Sequence, residues 1–487
     1  MKVTEVCARG EFCMEWVPTD QVRPNPKNAR THSQKQLKLI AESIRKYGFL
    51  NPLLVDSFYM LLAGHGRFIA AGMIGLTHIP VLKFDHLTEA QKRAYLIADN
   101  KIAEQAGWNR EMLAVELGEL IDLLPLEGMD VSLTGFEMAE IDLLLADMSS
   151  TQPEPENELP ALPANPVTRR DDLWLLKKHR LICGDARIPG TFVRLMEGAL
   201  AAAVFCDPPY NRRVREIGGR GRTQHPEFAF ASGEMSRSEF RRFLKVTVGN
   251  GVRVSAHGAL HFICMDWRGI GDLIEVGARL FDLMLNLVVW NKSNAGQGSL
   301  YRSQHELIGV FRVGGEPHRN NVQLGRFGRN RTNVWTYAGV NTFGRGRMEA
   351  LTAHPTVKPV ALVADAILDC TARGDIVLDQ FCGSGTTILA AEKVGRTGYG
   401  IEYEPAYVDV AVRRWQSITK LEATLAGDGR TFEEVSKARS GMGDLIPPIA
   451  PEEPAGKSGA NGAKKHRAGR SQSRRLGTNT RQEATHD

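Results

Sequence analysis

Two short apolar runs, Ala199–Cys206 and Asp375–Asp379, constrain the fold of this chain more than any other feature. The first is continuous rather than alternating, as expected of a strand buried on both faces, and parallel sheets covered by helices on both sides are built from such strands. Each run ends in a segment with its own chemistry: Asp207-Pro208-Pro209-Tyr210 after the first, and Phe381-Cys382-Gly383-Ser384-Gly385-Thr386-Thr387 after the second. Open α/β sheets bind ligands outside the carboxyl ends of their strands, which is where both segments fall. The expected fold class is therefore α/β.

The tetrapeptide suits methylation of an exocyclic amine. Such a nitrogen delocalises its lone pair into the ring and is a poor nucleophile. The Asp207 carboxylate and the Pro208 carbonyl can accept its two N–H groups and favour localisation of the lone pair. The side chain of Tyr210 offers a face on which an extruded base stacks. Pro208 and Pro209 restrict the backbone, so that the acceptors are aimed in advance. Asp-Pro-Pro alone equally suits a rigid surface turn. The second segment favours the chemical reading. Its glycines precede a helix expected over Ile388–Val394, then Gly395-Arg396 and a strand Thr397–Ile401 ending in Glu402. Gly383 and Gly385 would let backbone approach a ligand at the helix N-terminus. Glu402, close to the roughly 20 residues expected after the first glycine, is placed to accept bonds from ribose hydroxyls. No lysine follows Gly385, which disfavours a phosphate-binding P-loop.

Together these residues resemble the DNA adenine/cytosine amino-methyltransferases, over about residues 171–418. The resemblance implies a Rossmann-like methyltransferase with a mostly parallel twisted sheet, using S-adenosylmethionine. Asp207, Pro208, Pro209 and Tyr210 match the catalytic motif; Asp379 through Thr387, including Phe381, Gly383, Gly385 and Thr386, match the cofactor loop; Glu402 matches the ribose-binding acid. His354-Pro355-Thr356-Val357-Lys358-Pro359 matches an element that implies contacts by His354 and Lys358 near the methionine end of the cofactor, and Gly184-Asp185 a segment near its adenine. Catalytic motif first and cofactor loop last is the beta-class order, whose members are often homodimers, and Asp at the first motif position implies adenine N6 over cytosine N4. Target recognition is expected over residues 293–351, where Arg302, Arg319, Arg326, Arg329, Arg331, Arg345 and Arg347 interleave with Tyr301, Phe327, Trp335, Tyr337 and Phe343, a mixture that suits phosphate and base-edge contacts. The basic loop Arg212–Arg222 is a second candidate.

The 487 residues predict two to four domains at roughly 100–200 residues each. Thr151–Pro166, proline-rich and acidic, reads as an extended linker (151–170). Ahead of it, Ser33–Tyr47 reads as a capped helix ended by Gly48, Pro52–Ser57 and Tyr59–Ala63 as a hairpin, and Gly64-His65-Gly66-Arg67 as a turn opening a helix at Phe68. Residues Trp16–Lys101, with Asn28-Ala29-Arg30, Tyr47-Gly48-Phe49, Gly64–Arg67 and Asp99-Asn100-Lys101, resemble the ParB/sulfiredoxin-like N-terminal domain. That implies a small α+β domain over 14–105, followed by a helical extension, 106–150. Partition proteins of that family carry Gly-Glu-Arg-Arg at the turn. With neither the acid nor the second arginine here, the resemblance carries over a phosphate- or DNA-associated role for His65 and Arg67 rather than nucleotide binding or hydrolysis.

The methyltransferase domain is expected over 171–420, with a C-terminal extension over 421–487. Eight Lys and Arg residues from Ala455 to Asp487 face only Glu483 and Asp487, so this tail outweighs the net charge of +5 on the whole chain. Its Gly-, Ser- and Ala-rich composition predicts disorder. It reads either as a solubilising tail or as a contact to nucleic-acid phosphates. No run reaches the roughly 18–20 apolar residues of a membrane span, there is no signal-peptide pattern, and the seven scattered cysteines form no C-x-x-C pair. These features predict a cytoplasmic protein with reduced thiols, no zinc site and no membrane contact. The expected partner is double-stranded DNA. An RNA amino-methyltransferase can carry the same tetrapeptide but usually places the cofactor loop first. A degenerate, partition-like DNA-binding protein is opposed by the intact Asp207, Tyr210, Gly383, Gly385 and Glu402. Every residue assigned to chemistry lies beyond Val167, so a fragment starting there is expected to keep activity.

Overall fold

A computed structural model of the chain describes residues 14–149, 159–212, 233–292, 300–323, 331–338 and 357–440. The N-terminal part is a four-stranded sheet in the order β1 (Met14–Pro18), β4 (His78–Phe84), β2 (Leu53–Asp56), β3 (Leu61–Ala63). Only the central pair, β4 and β2, is parallel. The helix Gln34–Tyr47 starts where the Ser33 hydroxyl accepts the Gln36 N–H at 3.1 Å, and it stops at Gly48 with φ +78°. Gly64 sits between β3 and the helix His65–Met73 with φ +96°. A side chain there would lie 2.6 Å from Leu53 Cδ2, so the turn needs glycine. The helix begins three residues earlier than the sequence suggested, because His65 and Gly66 form its first turn. Two further helices, Arg110–Leu123 and Met138–Ser149, pack around Ala114, Leu117, Ile141 and Leu144.

The larger sheet has ten described strands: β5 (Leu173–Leu176), β6 (His179–Cys183), β7 (Ala201–Cys206), β8 (Ser255–Met265), β9 (Leu283–Asn291), β10 (His305–Arg312), β11 (Val334–Thr336), β12 (Ile376–Asp379), β13 (Thr397–Glu402) and β14 (Thr424–Leu425). Their spatial order is β11-β9-β10-β8-β7-β12-β13-β6-β5-β14. The five central strands β8, β7, β12, β13 and β6 are mutually parallel. Antiparallel pairings set in outside them, at β10 and β5. The apolar run of β7 is buried by helices on both faces, as its continuous pattern requires: Ala203 and Phe205 face one core cluster, Val204 and Cys206 the other.

The sheet continues past residue 420, where the sequence reading ends the domain. β14 pairs with β5, and Phe432 and Val435 of the helix Phe432–Ser440 are buried in the main core, with the Phe432 ring 5.1 Å from that of Trp174. Nor do residues 167–168 behave as linker. Val167 and Thr168 donate their backbone N–H groups to the buried Asp409 carboxylate at 2.6 and 2.9 Å. Residues 151–158 of the expected linker and the basic tail from Gly441 lie outside the described residues. So do Cys7 and Cys13, while the other five cysteines are buried and free.

A buried ion pair joins the N-terminal half to the large sheet. The Arg396 side chain, 0% exposed, donates to Asp142 Oδ2 at 2.8 Å across 254 residues of sequence. It also donates to the Thr371 and Val394 carbonyls, while Asp142 Oδ1 accepts from Arg373 at 3.1 Å. Removing one partner of such a pair leaves an uncompensated buried charge, at a cost of about 3–5 kcal/mol. Asp142→Ala is therefore expected to destabilise the whole chain on that scale, as read by chemical denaturation. The fragment starting at Val167 lacks Asp142 and is expected to melt below the full chain.

Candidate active site

The described residues matched to the methyltransferase catalytic and cofactor motifs lie together, outside the carboxyl ends of the parallel strands of the large sheet. β7 delivers Asp207, β12 ends at Asp379, β13 at Glu402, and β6 leads into Gly184-Asp185. Leu378 pairs in register with Val204, which sets the two motif-bearing strands side by side although they lie far apart in sequence.

Asp207 is the centre of a four-charge cluster. Tyr210 Oη donates to Asp207 Oδ1 at 2.5 Å, and Lys358 Nζ donates to Oδ2. Lys358 also lies 3.0 Å from Glu306 Oε2, to which Tyr210 Oη comes within 3.3 Å. The other Glu306 oxygen pairs with Lys292. The Lys358 ammonium sits 5.7 Å from the centre of the Trp290 ring and 5.9 Å from that of Tyr210. Burial works against the charged forms of Asp207, Glu306 and Lys358. The Asp207 carboxyl consequently titrates above the ordinary range, Lys358 relieving the effect and Glu306 adding to it. For Glu306 burial is overruled by Lys358 and Lys292, which hold it down at about 2. For Lys358 the carboxylates of Asp207 and Glu306 prevail over burial, and its pKa rises.

Beside the cluster, the glycine loop is tied down by carboxylates. Asp379 Oδ1 accepts the Phe381 N–H at 3.0 Å and Oδ2 the Thr387 hydroxyl at 2.6 Å. Glu402 accepts the Gly383 N–H at 2.8 Å and the Glu404 N–H at 2.7 Å. Both are buried enough that desolvation pushes their carboxyls up to about 7. Phe381 packs against Phe243, Thr386 is buried in the first turn of the helix Thr386–Lys393, and Arg414 grips Ser384 from behind, donating to its carbonyl at 2.6 Å. Gly383 and Gly385 both have left-handed backbone, φ +53° and +85°. The space at Gly385 is taken by packing: a Cβ there would lie 2.7 Å from Ala411 Cβ. Asp185 is occupied by a bidentate pair with Arg187, at 2.6–3.0 Å.

Lys358, expected near the methionine end of the cofactor, is thus bound to Asp207 and Glu306, and His354 lies outside the described residues. Glu306 and Lys292 were missed. The signal was a lone acid, Glu306, at the start of an apolar strand, on the same face as Ile308 and Val310. Asn211 was missed too: with φ +54° it brackets the loop after Tyr210, donating to the Met235 carbonyl at 2.7 Å. Of the expected recognition residues, Arg331, Trp335 and Tyr337 are committed to the fold. Arg331 pairs with Asp365 and Asp369 at 2.8 and 2.9 Å, the Tyr337 hydroxyl donates to Asp365, and Trp335 is buried on β11, an edge strand parallel to β9. Tyr301 is 84% exposed. Arg326, Phe327, Arg329, Phe343, Arg345, Arg347 and most of the loop Arg212–Arg222 lie outside the described residues. In the N-terminal domain Arg67 donates to the Asn51 carbonyl at 2.8 Å, and His65 Nε2 is buried without a hydrogen-bond partner.

Compared with known proteins, residues 201–413 match the DNA methylase family, 8–100 the ParB N-terminal domain, and 111–170 the ParB-methyltransferase HTH domain. The chain carries a DNA methylase domain of the N6/N4 family behind a ParB N-terminal domain. Similar proteins include the ParB-like nuclease domain-containing protein YnaK of Escherichia coli, 41% identical over 76 residues, which are 16% of this chain and 87% of YnaK. The type II methyltransferase M.ScaI of Streptomyces caespitosus is 39% identical over 90 residues, 18% of this chain and 30% of that one. For M.HinfI of Haemophilus influenzae, also a type II methyltransferase, the figures are 28% over 235 residues, 44% and 63%. The chain thus spans less than two thirds of either methyltransferase. The HTH match covers the helices Arg110–Leu123 and Met138–Ser149, which the sequence reading took only as a helical extension.

The methylase loop yields a prediction. Gly385→Ala meets Ala411 and a left-handed backbone together. Overpacking costs about 1–3 kcal/mol and left-handed backbone roughly 1–2 kcal/mol. A fall in melting temperature is expected, along with any loss of ligand affinity, rather than an affinity change in an equally stable chain.

Proposed function

We propose that this protein transfers a methyl group from S-adenosylmethionine to the N6 amine of an adenine flipped out of double-stranded DNA. The observation that carries the reading is the position of Asp207-Pro208-Pro209-Tyr210 at the end of β7, beside a carboxylate-braced glycine loop at the end of β12. The loop suits the cofactor. Glu402 spends two acceptor sites on backbone N–H groups, and a carboxylate has about four, so capacity for ribose hydroxyls remains. Asp379, Phe381, Gly383, Gly385 and Thr386 would hold the rest of the ligand's contour, with Asp185 near its adenine. Bound there, S-adenosylmethionine supplies an electrophilic methyl group.

The chain's own residues then have to present the amine. Asp207 and the Pro208 carbonyl accept its N–H groups in a site whose acceptors are fixed before the substrate arrives, and Tyr210 stacks on the flipped ring. Asp at position 207, with the family's lean, supports adenine over cytosine. The ParB-like and HTH regions would add DNA contacts remote from the reacting base.

Methyl transfer from tritiated cofactor to duplex DNA and to RNA tests the reading. Label is expected in DNA, and Asp207→Ala should lower turnover at least ~10²-fold, the scale of one preorganised contact, while cofactor binding persists. Undiminished turnover in that variant would displace the site. A second test uses pH. Burial keeps the Glu402 carboxyl at about 7, and a hydroxyl donor prefers the ionised form. Cofactor binding therefore lowers that pKa, so affinity should rise as pH increases through 7. Calorimetry on Glu402→Gln should show this dependence reduced; an unchanged dependence would remove Glu402 from the cofactor site.

A further inference from the structure

Neither Asp207 oxygen is free in this arrangement: Tyr210 Oη holds Oδ1 at 2.5 Å and Lys358 Nζ holds Oδ2. An aspartate that must receive a target amine has to release at least one of these donors. The geometry supplies one other acceptor within reach of both. Glu306 Oε2 lies 3.0 Å from Lys358 Nζ and 3.3 Å from Tyr210 Oη. Glu306 is itself secured from the opposite side by Lys292 on Oε1, so its placement does not depend on Asp207.

A buried carboxylate is a costly choice at the head of an apolar strand, where an aliphatic residue would pack without desolvating a charge. Its presence needs a reason beyond stability. Resting on the methyltransferase reading above, we propose that Glu306 is a positioning residue: it takes over the Lys358 ammonium and the Tyr210 hydroxyl from Asp207 when the target base enters. The exchange moves hydrogen bonds and transfers no proton. It also draws a cation away from the nitrogen that becomes positively charged as it gains the methyl group, where a lysine left on Asp207 would oppose the transition state.

The signature is a pair of opposite shifts. In Glu306→Gln, Lys358 keeps Asp207 as its only carboxylate and the repulsion from Glu306 is gone, so Asp207 ionises at lower pH. In Lys292→Met, Lys358 is drawn further onto Glu306, and Asp207 ionises at higher pH. Single-turnover methyl transfer to DNA, with saturating S-adenosylmethionine and measured against pH, reads both. For Glu306→Gln the plateau rate should fall about 10- to 100-fold with cofactor affinity retained and the acidic limb moved down. For Lys292→Met the limb should move up. Should Glu306→Gln fail to fold, the Lys292→Met shift alone carries the test, since Lys292 is at the cluster's more exposed side. Loss of rate with both limbs unmoved, or limbs moving the same way, would reduce Glu306 to a structural residue and overturn the proposal. A wild-type protein that methylates no DNA would instead overturn the reading on which it rests.

Discussion

The parallel pairing of β7 with β12 is the constraint on which the site depends. From this line the chain steps outward in opposite directions, from β7 to β8 on one side and from β12 to β13 on the other. Such a reversal leaves a crevice at the carboxyl ends of the two strands, and here each strand delivers one motif into it. The chemistry-bearing residues come from segments far apart in sequence, and only the strand order makes them neighbours. A slip of one residue between β7 and β12 would turn their alternating contacts with the two core clusters to the wrong faces.

Charge balance governs what that crevice can hold. Asp207 and Glu306 face Lys358 and Lys292, two carboxyl groups against two ammonium groups, beside apolar neighbours such as Trp290. The adjoining pair, Asp379 and Glu402, has no such counter-cations among the described residues. Its carboxyls are held by backbone N–H groups and the Thr387 hydroxyl, and burial leaves them near pH 7. Two neighbouring carboxylate pairs thus differ in their electrostatics: Asp207 and Glu306 are paired with lysines beside the Asp-Pro-Pro-Tyr tetrapeptide, while Asp379 and Glu402, bracing the glycine loop, are pushed up by burial.

What could be read in the sequence follows from how local the signals are. The β7 run with Asp207–Tyr210, and β12 with Phe381–Thr387, are contiguous, and the transitions came near their expected places, the helix starting at Thr386 rather than Ile388. Ser33 and Gly48 marked the ends of one helix by the same local chemistry, while the helix read as opening at Phe68 starts at His65, behind Gly64. Glu306 and Lys292 were not legible, because their meaning comes from β9 and β10 pairing at the site's edge. The sequence did not mark Asp142 and Arg396 as partners, since they are 254 residues apart; burial makes them a joint between halves of the chain. The arginines and aromatics near 331–337 suggested nucleic-acid contact by composition, yet Arg331, Trp335 and Tyr337 are spent on ion pairs and core packing. Composition records which groups are present, and only packing decides which of them remain free to face a ligand.

The central claim is that the crevice between β7 and β12 presents a DNA base amine for methylation. The most direct measurement is mass spectrometry of nucleosides released from unmethylated DNA after incubation with the protein and S-adenosylmethionine. The account predicts N6-methyldeoxyadenosine. N4-methyldeoxycytidine alone would keep the site and reverse the base assignment, while DNA left without any methylated amine would contradict the claim itself.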